Sequence, residues 1–347
     1  MFLVYRAANE HCPAAEGWIP GYFQFTNYSF LPCRGRFSVT KRCDQRGSKR
    51  TVAAKHVNKK LLRREQVLQE IRLLQNLDHP NLVKLLDTYE TASSYVLVLE
   101  MADQGRFLDY IVSWGNLTEE KVALYLRDIL EALHYLHSWR IAHLDLKVNS
   151  STNKALQSKS YFGEAVALLL CFSRSDDCVL YPPIPPEFSA PELILGQPVS
   201  LTSDLWSLGV VTYVVLSGAS PFLDESLEET CLNICRLDFS FPEDYFQGVS
   251  PAARDFICLL LRGEPERRPP APPALSPSRN HCGAHLDTSR LISFIERRKH
   301  QNDARPIGTI KFSINILQKT TTKKQQQQQP CNKRRVFSKI MYKNVYL

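Results

Sequence analysis

The chain has 347 residues, enough for one large domain or two ordinary ones, and 44% of them are hydrophobic, enough for a sizeable core. Its 43 Lys and Arg against 35 Asp and Glu give a net charge of +8; much of the excess lies in the C-terminal tail rather than along a folded face, which argues against a nucleic-acid binder. The apolar runs Tyr95–Leu99 and Ala165–Phe172 are too short to span a bilayer, the start Phe2-Leu3-Val4 is too short for a signal peptide, and ten irregularly spaced cysteines read as reduced thiols, so a soluble cytoplasmic protein is expected.

Residues 1–24 mix Pro, Gly and polar residues without a period and read as an irregular lead-in. Phe37 to Cys43 and Thr51 to Val57 read as strands joined by the turn-forming Asp44-Gln45-Arg46-Gly47-Ser48. Val67, Ile71, Leu74 and Leu77 recur at helical spacing with charges opposite, and Asp78-His79-Pro80 ends that helix. Asn81 to Asp87 and Tyr95 to Met101 read as two further strands.

Beyond Met101 the pattern turns helical. Thr118 is an N-cap, Glu119 and Glu120 favour the first turn, and Val122, Leu126, Ile129, Leu133 and Leu136 form a stripe. Ser203 is expected to cap an apolar helix ended by Ser217-Gly218; Leu227 to Leu237, Pro251 to Leu261 and Leu286 to His300 predict three more. A sheet-rich half followed by a helical half predicts two lobes with a cleft. His281, Cys282 and His285 cluster in sequence, but a fourth ligand is missing nearby, so a zinc site is not expected. Thr320–Thr322, Gln325–Gln329 and Lys333-Arg334-Arg335 mark a low-complexity tail, expected to be disordered.

Several short motifs then fall in a fixed order. Val52-Ala53-Ala54-Lys55 ends a strand, and Glu70 lies on the next helix before Asp78-His79-Pro80-Asn81-Leu82-Val83. His143-Leu144-Asp145-Leu146-Lys147, Ala190-Pro191-Glu192, Asp204-Leu205-Trp206-Ser207-Leu208-Gly209 and Glu264-Pro265-Glu266-Arg267-Arg268-Pro269 follow. The set resembles the protein kinases. That resemblance implies an α+β, two-lobed kinase fold with a small sheet-rich N-lobe over residues 25–101 and a larger helical C-lobe over 102–272. An extension over 273–306 and the tail over 307–347 complete the expected organisation.

The resemblance also implies roles. Lys55 would hold the ATP phosphates and Glu70 would orient it; Ala53 and Leu99 would line the nucleotide pocket, with backbone groups of Glu100 and Met101 on adenine. Gly35 is the one glycine left of three in the phosphate loop, and Thr40 stands where a valine packs on adenine, so phosphate grip should be looser. Asp145 would be the catalytic base and Lys147 its partner in neutralising the transferred phosphate. Leu144 replaces an arginine that clamps activation-segment phosphates, so control through that clamp is not expected. Glu192, Arg268 and Asp204 would be structural anchors: Glu192 paired with Arg268, and Asp204 on the catalytic-loop backbone.

One stretch departs from the family. The metal-binding asparagine and aspartate are replaced by Ser150 and Tyr161, and Tyr161-Phe162-Gly163 stands where Asp-Phe-Gly belongs. A tyrosine is a poor magnesium ligand, since magnesium wants hard, charged oxygen. ATP is therefore the expected cofactor, while the magnesium that the family uses lacks its ligands here.

Within the kinases, Val98-Leu99-Glu100-Met101-Ala102-Asp103, Thr230-Cys231-Leu232-Asn233-Ile234-Cys235 and Ser293-Phe294-Ile295-Glu296-Arg297-Arg298-Lys299 resemble the C-terminal serine/threonine kinase domains of kalirin and Trio. Two readings result: a serine/threonine kinase of that type acting on a protein substrate, with activity weakened by the lost ligands, or a pseudokinase that binds nucleotide or scaffolds a partner.

Overall fold

The structure, a computed structural model, describes residues 18–19, 23–25, 33–34, 38–45, 51–100, 117–144, 146, 186–272, 286 and 288–301. The described residues up to Glu100 belong to one compact unit and those from Leu117 onward to a second.

The first unit is an antiparallel sheet with a helix. Its strands are β1 (Trp18–Ile19), β2 (Phe23–Phe25), β3 (Cys33–Arg34), β4 (Ser38–Gln45), β5 (Thr51–Asn58), β6 (Leu85–Glu90) and β7 (Ser94–Glu100). They lie in the order β1-β2-β4-β5-β7-β6, with β3 also paired to β4. The alternation of a strand sends Val52 and Ala54 to one face, where they bury completely with Cys43, Val96 and Val98 against Tyr89. Ala53, Lys55 and Val57 take the other face. Cross-strand register sets Lys55 between Thr40 and Leu97, and Ala53 between Arg42 and Leu99.

Helix α1 (Arg64–Asn76) buries Val67, Ile71 and Leu74, each contributing on the order of 1.5–3 kcal/mol of transfer free energy. The Gln66 side chain accepts the Arg63 N–H at 3.1 Å, closing the helix start. Two strand expectations shift. The stretch from Asn81 does not extend at once, because Leu82 N–H bonds the His79 carbonyl in a turn across Pro80; β6 starts at Leu85. Residues 1–24, expected to be irregular, contain β1 and the start of β2, because β4 supplies them with a hydrogen-bonding edge.

The second unit is helical: α2 (Glu119–Ser138), α3 (Pro191–Ile194), α4 (Ser203–Ser217), α5 (Leu227–Arg236), α6 (Glu243–Phe246), α7 (Pro251–Leu260) and α8 (Ser289–Gln301). Thr118, Ser226 and Ser250 each accept a backbone N–H three residues on, the geometry of N-caps. Every residue of α4 is buried, so this helix is the core around which the others pack. Gly209 lets α7 approach it: an added Cβ would lie 2.9 Å from Leu260 Cβ. Gly218 ends α4 with φ of +69°, and there a Cβ would lie 2.6 Å from the Leu291 nitrogen of α8. The α4 cap is a correction to the sequence expectation. Thr202, not Ser203, precedes the helix, and the Ser203 hydroxyl donates instead to Glu192 at 2.6 Å.

Candidate functional site

In the first unit, Lys55 is carried by β5 and Glu70 by α1, on the sheet face where Ala53 also lies. Lys55 Nζ donates to Glu70 Oε1 at 2.8 Å, and the two side chains are 12% and 17% exposed. Glu70 sits one residue before buried Ile71 and three after buried Val67, so the packing of α1 fixes its direction. The pair is partly dehydrated and directional, and it presents an ammonium that a phosphate could share. Leu99 is 2% exposed in β7, opposite Ala53 and Leu85. Glu100 N–H is committed to the Lys84 carbonyl at 2.9 Å. Gly35 and Met101 lie outside the described residues.

In the second unit, Asp204 is fully buried near the start of α4. Its Oδ2 accepts the His143 N–H at 2.8 Å and its Oδ1 the Leu144 N–H at 2.7 Å, while His137 Nε2 lies 2.8 Å from Oδ2. These bonds hold Leu144 at φ of +55°, a left-handed conformation that a leucine adopts only under strain of about 1–3 kcal/mol. Strain at the residue before Asp145 is maintained by a carboxylate that has no exposure to water. The Leu144 side chain is itself 3% exposed, so an apolar group fills the place where the resemblance expects an arginine. Asp145, Lys147, Ser150 and Tyr161 lie outside the described residues.

Glu192 and Arg268 form a second, wholly buried constellation. Arg268 reaches both Glu192 oxygens, at 2.7 and 2.8 Å. Its other donors meet the carbonyls of Arg262, Gly263 and Thr202, and its guanidinium lies 5.2 Å from the Trp206 ring. Ser203 completes Glu192 Oε1. A buried pair with this many satisfied groups is an anchor, since removing one partner strands the other charge.

The structure thus brings together Lys55 with Glu70, Glu192 with Arg268, and Asp204 with the backbone before Asp145. Sequence reading missed His137 and Ser203. His137 directly follows Leu136, the last residue of the apolar stripe on α2, and a polar residue beside a stripe gives only a faint signal. Ser203 was legible as a helix-start residue but not as a partner of Glu192. Among the described residues, no group of three or more His, Cys, Asp or Glu side chains is placed to hold a metal ion.

Comparison with known proteins completes the description. Residues 33–278 match the family model described as protein kinase domain, and residues 1–25 match one described as kalirin, SH3. Mouse death-associated protein kinase 2 is 35% identical over 245 residues, 67% of this chain and 65% of that protein. Rabbit serine/threonine-protein kinase 17A is 37% identical over 244 residues, 68% of this chain and 61% of that protein. Rat myosin light chain kinase 3 is 36% identical over 239 residues, 65% of this chain and 29% of that protein. The matched region thus spans less than two thirds of each of these relatives. The autoinhibited serine kinase domain of the giant muscle protein titin superposes with a TM-score of 0.61 at 25% identity, covering 81% of this chain and 88% of that one.

Proposed function

The chain belongs to the protein kinase family, with the two-lobed kinase fold, and on that premise we propose that it binds ATP through Lys55 and transfers phosphate slowly to protein serine or threonine. The relatives named above are a death-associated protein kinase, a serine/threonine-protein kinase and a myosin light chain kinase, which supports protein serine or threonine as the acceptor. We place it within the kalirin and Trio group, on the motifs quoted above and on the kalirin SH3 match of residues 1–25. The observation that carries the reading is the 2.8 Å pairing of Lys55 with Glu70, which presents one ammonium at a fixed place. In the proposed reaction Lys55 holds the phosphates, Asp145 accepts the proton of the substrate hydroxyl, and Lys147 neutralises the transferred group. Asp204 acts through the backbone, by fixing the residues before Asp145.

The resemblance puts positions 150 and 161 where a magnesium ion would be held, and such an ion would supply charge neutralisation for the phosphates. Tyr161 and Ser150 are not the hard anionic donors it prefers, and no step is assigned to it here. Losing that charge stabilisation removes several kcal/mol, and each 1.4 kcal/mol is about tenfold in rate, so turnover about a thousandfold or more below an intact kinase is expected.

Thermal-shift titration with ATP, with and without magnesium, tests binding, and radiolabel transfer to a mixed serine/threonine peptide tests chemistry. Expected are an ATP-dependent stabilisation reaching about 2.7 kcal/mol at a hundred times Kd, little further change with magnesium, and slow transfer abolished by Asp145→Asn. ATP stabilisation unaltered in Lys55→Met would overturn the binding site. Binding without any transfer would turn the proposal to its second reading, a nucleotide-binding pseudokinase that scaffolds a partner, which the replacement of both metal-ligand positions favours.

A further inference from the structure

The second unit contains a cavity of about 250 Å³ lined by Arg140, Ala142, Val199, Ser200 and Leu201. Its walls are two connectors: the turn that leaves α2 and the loop that enters α4. Burial grades them. Ala142 is 4% exposed, Val199, Ser200 and Leu201 are half-buried, and Arg140 is exposed, so the charged residue stands at the mouth. An apolar cavity of roughly 150 Å³ accepts a benzene ring, so this volume has room for a ring and a small polar group.

The lining selects the chemistry of that group. Ala142, Val199 and Leu201 are apolar, and none of the lining residues is acidic. Ser200 has no hydroxyl proton to offer. The Thr202 hydroxyl donates to the Pro265 carbonyl at 2.8 Å, so the 2.9 Å contact between the two hydroxyls is donated by Ser200. The Arg140 guanidinium is then the one side-chain donor of the lining, and among the described residues no Asp or Glu pairs with it. Its backbone is fixed in advance. Arg140 has φ of +58°, with its N–H on the His137 carbonyl and the Ile141 N–H on the Leu136 carbonyl, each at 3.0 Å. A cation at the mouth of an apolar, ring-sized space is complementary to a carboxylate carried on an aromatic body.

Both walls lead to Asp204. Ala142 precedes His143, whose N–H donates to Asp204 Oδ2 at 2.8 Å, and the Leu201 carbonyl accepts the Asp204 N–H at 3.3 Å. We propose that this cavity is a binding site for a small aromatic carboxylate, with the carboxylate on Arg140 and the ring against Ala142, Val199 and Leu201. A ligand that bridges the two connectors resists their separation, so it protects the backbone that Asp204 holds at His143 and Leu144. The site is separate from the Lys55–Glu70 pair and does not depend on phosphoryl transfer.

Phenylacetate is the probe, titrated into the full chain and followed by ligand-observed NMR, with phenylacetamide as its uncharged isostere. Expected is saturable binding with Kd of about 1 mM, in keeping with a ligand of about ten heavy atoms, and binding of phenylacetamide about tenfold weaker or worse. With phenylacetate at about ten times Kd, amide exchange at His143 and Leu144 should slow about tenfold, while Val96–Val98 of β7 stay unchanged. Arg140→Gln removes the charge at an exposed position and should weaken phenylacetate binding about tenfold or more. Val199→Trp fills the cavity from a half-buried position and should abolish binding. Absence of saturation up to about 20 mM, roughly twenty times the expected Kd, overturns the proposal. So does equal affinity for phenylacetate and phenylacetamide, unaltered affinity in either variant, or unchanged exchange at Leu144 in the bound protein.

Discussion

Among the basic–acidic pairs of the described residues, Lys55–Glu70 and Arg268–Glu192 are nearly equal in length and opposite in character. Lys55 donates to one Glu70 oxygen, and both side chains keep some contact with water, at 12% and 17% exposed. Arg268 takes both Glu192 oxygens, at 0% and 2% exposed, and its remaining donors are met by carbonyls. The difference lies in what each pair can exchange. A point-like ammonium with residual hydration can turn toward an incoming phosphate without leaving Glu70 uncompensated for long. A bidentate guanidinium sealed beneath α4 has no such freedom, and its geometry is spent on holding the helical unit in one arrangement. Charge pairs of one distance therefore serve as a handle in one region and as a rivet in the other.

The rivet should give the largest effect. Arg268→Ala leaves the Glu192 carboxylate buried beside Ser203 without its guanidinium, and the expected loss of unfolding free energy is about 3–5 kcal/mol. Urea unfolding monitored through the buried Trp206 measures it. A loss below about 1 kcal/mol would erase the contrast between the two pairs.

A mid-sized effect comes from the sheet of the first unit and depends on pH. Burial, helped by the charge of Lys41, lowers the His56 pKa from its ordinary 6.5 to about 4. The unfolded chain then binds the proton more readily than the folded one. The stability linked to His56 is fully present above about pH 6.5 and is lost as pH falls from there toward 4. The residue is only partly buried, so about 2 kcal/mol is expected rather than the full value of the shift. Comparing urea midpoints at pH 7 and 4.5 for the wild type and His56→Gln isolates this part from titrating carboxylates. Identical pH dependence in both proteins would remove His56 as the cause.

How much of this was readable in advance follows from the range of each interaction. Val67, Ile71 and Leu74 announce α1 because helical period and burial coincide within one segment. The same holds for α2, α5 and α7, whose Thr118, Ser226 and Ser250 caps act over three residues. The pairing of Lys55 with Glu70 was legible only by resemblance, since nothing in the fourteen intervening positions specifies their contact. Ser203 misled because a hydroxyl at a helix start normally caps locally, whereas here a carboxylate eleven residues earlier competes for it. The left-handed Leu144 left no mark in composition, because its strain is imposed by Asp204, sixty residues away. The early strands were hidden for a related reason: their ladder partner is β4, and a two- or three-residue strand has too few positions to show a period.

The smallest stability effect should come from the handle. Lys55→Met keeps the aliphatic stem against the sheet and removes only the ammonium, and Glu70→Gln keeps the shape of its partner. Because both groups retain some hydration, each single change is expected to shift unfolding free energy by about 1 kcal/mol or less. A double-mutant cycle should return a coupling of about 0.5–1 kcal/mol, a fraction of what Arg268 and Glu192 share. Loss of ATP-induced stabilisation in Lys55→Met, beside that small cost, would mark a side chain held for a ligand more than for the fold. A coupling of 3 kcal/mol or more would instead make Lys55–Glu70 a second rivet, and the freedom to turn toward phosphate would have to be given up.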